Sequence, residues 1–263
     1  MTADRVLACP NCGLALTLTD RGATCATGHA FDRGRGGYLN LLVGGRLGPT
    51  VTAGDTADSL AARRRFLTAA HYAPVAAALA EAVGEPTGPV LDVGCGEGYY
   101  VAGLPGEHRY GLDISKAAVQ MAARAHPTIQ FVVGSAYRLP VLDASVGAVV
   151  CVFAPHSFTE FARVLQADGR WVTVTPGGRH LQEMRPVVAG ESERRVGERL
   201  QRRSEPPPEA VDAIHVEFSL DLDAKAARDL FLMTPIRWQA GSRVDGPMRV
   251  TVDMWVSSSQ PIR

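Results

Sequence analysis

The sequence lacks any apolar run long enough to cross a bilayer, and its start, MTADRVLACPNC, lacks the hydrophobic core of a secretory signal. Both absences argue against a membrane role and predict a cytoplasmic protein. Net charge is also missing: 27 basic and 27 acidic residues cancel, so no global field attracts a polyanion and any nucleic-acid contact must come from local patches. There is no internal repeat. Cysteines number only 5, and in a reducing compartment closely spaced ones are read as metal ligands rather than disulfides. What remains, 46% hydrophobic and 21% charged residues over 263 positions, is ordinary globular composition, enough for one large domain and a small one.

Residues 1–36, rich in Cys, Gly and Thr, are too short for an apolar core, so a metal is expected to hold them as a small N-terminal domain. Residues 37–85 form a connector: a glycine-rich, turn-forming stretch, then apolar residues at helical spacing (Leu60, Phe66, Leu67, Val75, Leu79, Val83), with a break expected near Pro74. From residue 86 to 263 the chain alternates. Strand-like VLDV, a glycine loop and helix, strand RYGLDI, helix SKAAVQMAARAH, strands QFVVGS and VGAVVCVF, helix FTEFARVL and strand RWVTVTP predict an α/β fold with a doubly wound parallel sheet. Beyond Pro176 the expectation is a charged helix, a break at the three prolines 206–208, a helix around AKAARDLFLM and a closing strand MRVTVDMWV.

In VLDVGCGEGYY, Gly94, Gly96 and Gly98 let the backbone turn tightly and come close to a ligand. Such a loop alone is weak evidence. Asp113 strengthens it: 21 residues after Asp92 and at the end of the next strand, its carboxylate can accept the hydrogen bonds of a ribose diol. No Gly-Lys-Ser/Thr is present for a nucleoside triphosphate, and Glu97 places negative charge where a pyrophosphate needs neutral donors. Acids at Asp92 and Glu97 suit a cationic ligand, and S-adenosylmethionine, with its amino group and sulfonium, fits. Ser135 and Ala136, after QFVVG, fall where the adenine would lie in a sheet wound in the usual order. A plain strand-to-helix turn and a dinucleotide site are the competing readings.

Cys9-Pro-Asn-Cys12 followed by Cys25 and His29 reads Cys-x2-Cys-x12-Cys-x3-His. Three thiolates and an imidazole suit a closed tetrahedral Zn2+ site, structural because no coordination position is left open. Reduced cysteines packed as small hydrophobes are the alternative. Cys95 and Cys151 belong to the expected α/β core.

Taken with the zinc motif, RGGYLNLL at 35–42, ARRRFLTAAHY at 62–72, VLDVGCGEGYY, YGLDISKAAV, FAP at 153–155, TPGGRHLQEM at 175–184 and MTP at 233–235, the chain resembles the RlmA-type 23S rRNA (guanine-N1)-methyltransferases, collinearly over nearly its whole length. The resemblance implies a Rossmann-like class I methyltransferase sheet and methylation of a guanine in the helix 35 hairpin of 23S rRNA. It also implies a homodimer whose zinc domains help grip the RNA; some members confer resistance to tylosin-like macrolides. It further implies that residues matching Tyr72 and His180 meet the cofactor alongside those matching Gly96 and Glu97. Spacing alone would leave Tyr72 on a helix face and His180 in a solvated loop.

Methyl transfer to a ring nitrogen is an in-line displacement, and guanine N1 carries a proton that must leave, so a general base is expected. The chain lacks the Asn-Pro-Pro-Tyr motif of exocyclic amino methylation and has Phe153-Ala154-Pro155 instead, favouring a ring target on which Phe153 could stack. Glu160, His156 and His180 are the candidate bases. Candidate RNA contacts are Arg33, Arg35, Arg46, Arg63, Arg64 and Arg65, with the zinc-proximal pair best placed. The run Arg194, Arg195, Arg199, Arg202 and Arg203 alternates with Glu191, Glu193, Glu198 and Glu205 and reads rather as a salt-bridged helix. Two other functions compete: a small-molecule methyltransferase whose zinc module supports the fold, and a zinc-dependent RNA-binding protein with a non-catalytic methyltransferase fold.

Overall fold

The computed structural model describes residues 6–42, 56–185, 205–238 and 244–261. Arg46 and the charged run from Glu191 to Arg203 lie outside them. The chain divides into two compact units, Met1–Gly54 with Val83–Val172 and Ser259–Arg263, and Asp55–Ala82 with Thr173–Ser258. These units cut across the boundaries expected at residues 36 and 85, because the helices before the glycine loop cluster with the C-terminal half.

In the first unit, β1 (Leu16–Leu18), β2 (Gly22–Cys25) and β3 (Ala30–Asp32) make a small antiparallel sheet. The main sheet holds β4 (Leu39–Asn40), β5 (Val90–Val93), β6 (Arg109–Asp113), β7 (Gln130–Val133), β8 (Val146–Val152) and the first part of β9 (Leu165–Pro176), in the order β9-β8-β5-β6-β7-β4. β5 pairs in parallel with both β6 and β8, and β7 in parallel with β6 and β4. Every residue of β5 and β8 is buried, as central strands covered on both faces must be.

Helices follow from local chemistry. In α4 (Lys116–Ala125), Ala118, Val119, Ala122 and Ala123 form one buried face, the Ser115 hydroxyl caps the start by accepting from Ala118 N–H, and His126, kept out of the helical conformation before Pro127, ends it. α5 (Phe158–Val164) starts the same way from Ser157, while α3 (Tyr99–Ala102) is a single turn after Gly98.

Two expectations for this unit change. The zinc module packs into a larger core: Val6, Leu7, Cys9, Leu16, Ala23 and Cys25 share a hydrophobic core with Leu39, Leu139 and Val141 of the α/β part. The chain around Leu7 lies against residues 140–142, with Ala8 N–H donating to Pro140 O at 2.9 Å and Leu142 N–H to Val6 O at 2.8 Å. The connector, moreover, contains a strand. Leu39–Asn40 of RGGYLNLL pairs with β7 at the sheet edge, where the buried Leu39 fills the core.

In the second unit, α1 (Ala57–Thr68) and α2 (Ala73–Val83) are separated at residues 69–72, where Ala70 takes a φ of 61°. Pro74 does not make the break; it sits in the first turn of α2, where its missing N–H costs nothing. β10 (Asp212–Leu222) and β11 (Met248–Ser259) run antiparallel, and the order is β10-β11-β9. β10 was not anticipated, although HVEFSL alternates with the period of a half-buried strand. α1 packs against α6 (Ala224–Met233). There Arg65 donates to the buried carboxylate of Asp229 through both Nε (2.9 Å) and Nη2 (2.5 Å), which holds the Asp229 pKa below its ordinary value. Arg65 is therefore a structural ion-pair partner rather than a phosphate contact. No single helix among the described residues is long and apolar enough to cross a membrane.

Candidate cofactor and zinc sites

The knuckle between β1 and the chain before it brings Cys9 and Cys12 together, and the β2–β3 turn brings Cys25 and His29. The four ligand atoms lie within 4.8 Å of one another. A tetrahedral Zn2+ with Zn–S near 2.3 Å and Zn–N near 2.0 Å requires S–S edges of about 3.8 Å and S–N edges of about 3.5 Å. Cys12 Sγ to Cys25 Sγ is 3.7 Å, and His29 Nδ1 lies 3.4 Å from Cys25 Sγ and 3.6 Å from Cys9 Sγ. The donor set thus fits zinc in identity and in size. Thr27 escaped the sequence reading: its hydroxyl is 3.1 Å from Cys25 Sγ and 3.3 Å from Cys12 Sγ. Hydrogen bonding from Thr27, opposed by desolvation and aided by His29, draws the Cys25 thiol down to about 5, favouring the thiolate a metal needs.

At the carboxyl end of β5 the chain reverses through Gly94, Gly96 and Gly98, with φ of 81°, 55° and 87°. The left-handed values explain the glycines, and at Gly94 space does too. A Cβ there would stand 2.2 Å from Ala154 Cβ, in the loop after β8. Because β5 is flanked by β6 on one side and β8 on the other, this crevice is the topological switch point where ligands of open α/β sheets bind.

Asp113, ending β6, accepts from Gly96 N–H through Oδ2 (2.9 Å) and from Ser115 N–H through Oδ1 (2.8 Å), tying the glycine loop to the next strand. Asp92 is only 1% exposed, and neither of its oxygens has a hydrogen-bond partner in good geometry. Burial, then the charges of Asp113 and Glu97, raise its pKa to about 8, with the Val101 N–H pulling weakly the other way. Glu97 is buried beside it. Two buried acids with the partly exposed Asp113 beside them are at odds with an anionic phosphate ligand and complementary to a cation. Ser135 and Ala136 follow β7 in a turn closed by Arg138 N–H to Ser135 O at 3.3 Å.

Phe153, after β8, is 46% exposed with a φ of 55°, a conformation a bulky side chain adopts at a cost. His156 donates from Nδ1 to Ala154 O at 3.0 Å and stacks on Phe161, with ring centroids 5.4 Å apart. Its proton is thereby placed on Nδ1, leaving Nε2 as acceptor. Glu160 is not on a solvated face. Its carboxylate accepts from Leu139 N–H (2.7 Å) and from Arg163 Nε (2.9 Å) and Nη2 (2.7 Å), and the Arg163 guanidinium lowers its pKa, which makes it a poor base.

In the second unit Tyr72 and His180 meet, ring centroids 6.4 Å apart. Both are buried, against the helix-face and solvated-loop positions that spacing suggests. His180 Nδ1 accepts from Asp253 N–H at 3.4 Å, so its neutral ring carries the proton on Nε2 and is a donor there. The Asp253 carboxylate, which accepts from Arg179 N–H at 2.7 Å and lies 2.8 Å from His215 Nε2, was not foreseen as the support of this loop.

A family model described as a methyltransferase domain matches residues 91–180, and one described as RlmA, N-terminal, a zinc ribbon, matches residues 7–43. A protein of Micromonospora griseorubida assigned as a 23S rRNA (guanine-N1)-methyltransferase is 38% identical, over 97% of this chain and 92% of the relative. The 23S rRNA (guanine(748)-N1)-methyltransferase of Streptomyces fradiae is 36% identical, over 89% and 86%. A Bacillus subtilis protein, YxjB, assigned the same guanine-N1 activity without a position, is 28% identical over 88% and 86%. The Cys3His cluster is accordingly a structural zinc site, and the acid-lined loop belongs to an S-adenosylmethionine-dependent methyltransferase domain. With both domain models in register and full-length likeness at this level, the chain belongs to the RlmA-type 23S rRNA (guanine-N1)-methyltransferase family.

Proposed function

We propose that this protein methylates N1 of a guanine in the helix 35 hairpin of 23S rRNA, as a cytoplasmic homodimer. The observation that carries the reading is the union, in one compact unit and one hydrophobic core, of a zinc ribbon with an acid-lined cofactor loop. A metabolite methyltransferase needs no such ribbon built against its sheet.

S-adenosylmethionine supplies an electrophilic methyl on a positively charged sulfur. In this reading Asp113 accepts from the ribose hydroxyls, Ser135 and Ala136 border the adenine, and Asp92 with Glu97 offsets the positive charge at the methionine end. Tyr72 and His180 are assigned to the same cofactor by the family resemblance. In this reading Phe153, exposed beside Ala154 with a φ of 55°, stacks on the extruded guanine.

For the N1 proton, His156 is the base the geometry favours. Its Nε2 lone pair is available, and Ala154 O holds the Nδ1 proton and would stabilise the imidazolium formed. Glu160 is spent on Arg163, and neutral His180 presents a donor.

The direct test is methyl transfer to a 23S rRNA fragment carrying the hairpin, mapped by reverse-transcription stops. His156→Gln should lower kcat about 100-fold or more with cofactor affinity unchanged. No RNA methylation, with turnover of a metabolite instead, would overturn the reading. Resistance to a tylosin-like macrolide is read separately, by growth of a host expressing the chain.

A further inference from the structure

Among the described residues of the first unit, three large hydrophobic side chains are exposed: Leu14 (44%), Tyr137 (66%) and Phe153 (46%). Single exposed hydrophobic residues are common and by themselves mean little. Two of the three share one edge of the sheet. Leu14 closes the zinc knuckle, Tyr137 lies in the loop after β7, and Phe153 follows β8, so the two aromatics stand at the carboxyl edge of the sheet with the cofactor loops of β5 and β6 between them. Three strand spacings separate β8 from β7, roughly 14 Å, a distance within reach of a short unpaired stretch of RNA.

Tyr137 is held there by a hydrogen-bonded turn. Its own N–H donates to Ser135 Oγ at 3.2 Å, and the turn is closed by Arg138 N–H on Ser135 O. The next residues are locked to the zinc module through Ala8 N–H on Pro140 O, and Arg138 Nη2 approaches Pro10 O of the knuckle at 3.5 Å. Leu139 is pinned from behind by Glu160. An exposed ring and an exposed guanidinium are thus fixed side by side on a backbone shared with the zinc knuckle, the arrangement that stacks a base and pairs with its phosphate.

We infer that Tyr137, with Arg138 and the adjoining zinc knuckle, is a stacking platform for an unpaired nucleotide flanking the target guanine. The inference rests on the rRNA reading above and deepens it: the zinc module acts on RNA by presenting a loop of the catalytic unit, since Arg33 of the module is itself engaged by Thr19 O, Gly37 O and Gln130 Oε1. The zinc-loaded full chain is titrated with the helix 35 hairpin by fluorescence anisotropy, and with S-adenosylmethionine by calorimetry. Tyr137→Ala should weaken RNA binding about 5- to 150-fold, the range for one lost stack, with cofactor affinity unchanged and Tyr137→Phe close to wild type. Arg138→Ala should reduce the slope of log affinity against log salt by about 1. Equal RNA binding by Tyr137→Ala and wild type overturns the platform. Loss of cofactor affinity with RNA binding intact also overturns it, assigning Tyr137 to the adenine instead. A wild-type chain that does not bind the hairpin overturns the rRNA reading and the platform together.

Discussion

The zinc cluster and the glycine loop share one unit but meet their ligands in opposite electrostatic states. At the knuckle the ligand atoms already stand at tetrahedral distances, and Thr27 and His29 favour the Cys25 thiolate, so the site is prepared for its ion. At the loop, Asp92 is buried beside two other acids and its carboxyl is pushed toward the neutral form, so a cation bound there would favour its ionisation. The difference teaches that the zinc ligands are arranged by preformed geometry, whereas the acids of the glycine loop hold a proton that a bound cation would displace.

Removing zinc should have the largest effect. Chelation, or Cys25→Ser, forfeits a metal contribution on the order of 10 kcal/mol in comparable small domains. Because the module shares its core with Leu139 and Val141, the loss should spread into the α/β part. Thermal unfolding with and without chelator, followed by hydrogen exchange at residues 139–142, checks this. Unfolding confined to residues 6–36 would show the module to be independent after all.

Next comes Gly94→Ala. The added Cβ combines a φ of 81° with a 2.2 Å approach to Ala154, so about 2 to 4 kcal/mol of strain should appear as lost stability and weaker cofactor binding. Unchanged calorimetric affinity would mean that the loops after β5 and β8 part freely.

The charge tension predicts a proton. With its folded pKa raised above the ordinary 3.8 to about 8, Asp92 contributes stability that is complete at low pH and lost as pH rises through about 8. Cofactor binding at pH 7 should therefore release close to one proton, seen as a buffer-dependent calorimetric enthalpy. Asp92→Asn should abolish that release, flatten the loss of stability between pH 5 and 9 in the cofactor-free protein, and weaken S-adenosylmethionine binding. Proton release that survives in Asp92→Asn would place the tension on Glu97.

The smallest effect is expected at Glu160→Gln. It removes an anion from the Arg163 pair, at a cost of about 1 to 2 kcal/mol in stability, while kcat per folded molecule should change little. A fall in kcat of about 100-fold would restore Glu160 as the base.

Much was legible in the residues because it is local. Four zinc ligands within 21 positions declare themselves by type and spacing, and VLDV, the glycines and Asp113 follow one another along a strand, loop, helix and strand. What misled was also local reasoning. Leu39 and Asn40 sit in a glycine-rich stretch and look like connector, yet β7 offers them an edge. Arg65 looks like one of six RNA contacts, yet Asp229, 164 residues later, claims it. Glu160 looks like a candidate base until Leu139 N–H and Arg163 are placed around it.

By itself, then, the sequence determined the donor atoms of the metal site, the acid-lined glycine turn and the strand succession that opens a crevice after β5, because each depends on spacing along the chain. Only the tertiary structure decided which of these groups are strained or spent. It buried Asp92 among like charges, placed the His156 proton on Nδ1, committed Glu160 to Arg163 and merged the zinc module with the sheet. Burial and hydrogen-bond partners are supplied by residues distant in sequence, and they set protonation and exposure; those in turn set which residues can do chemistry.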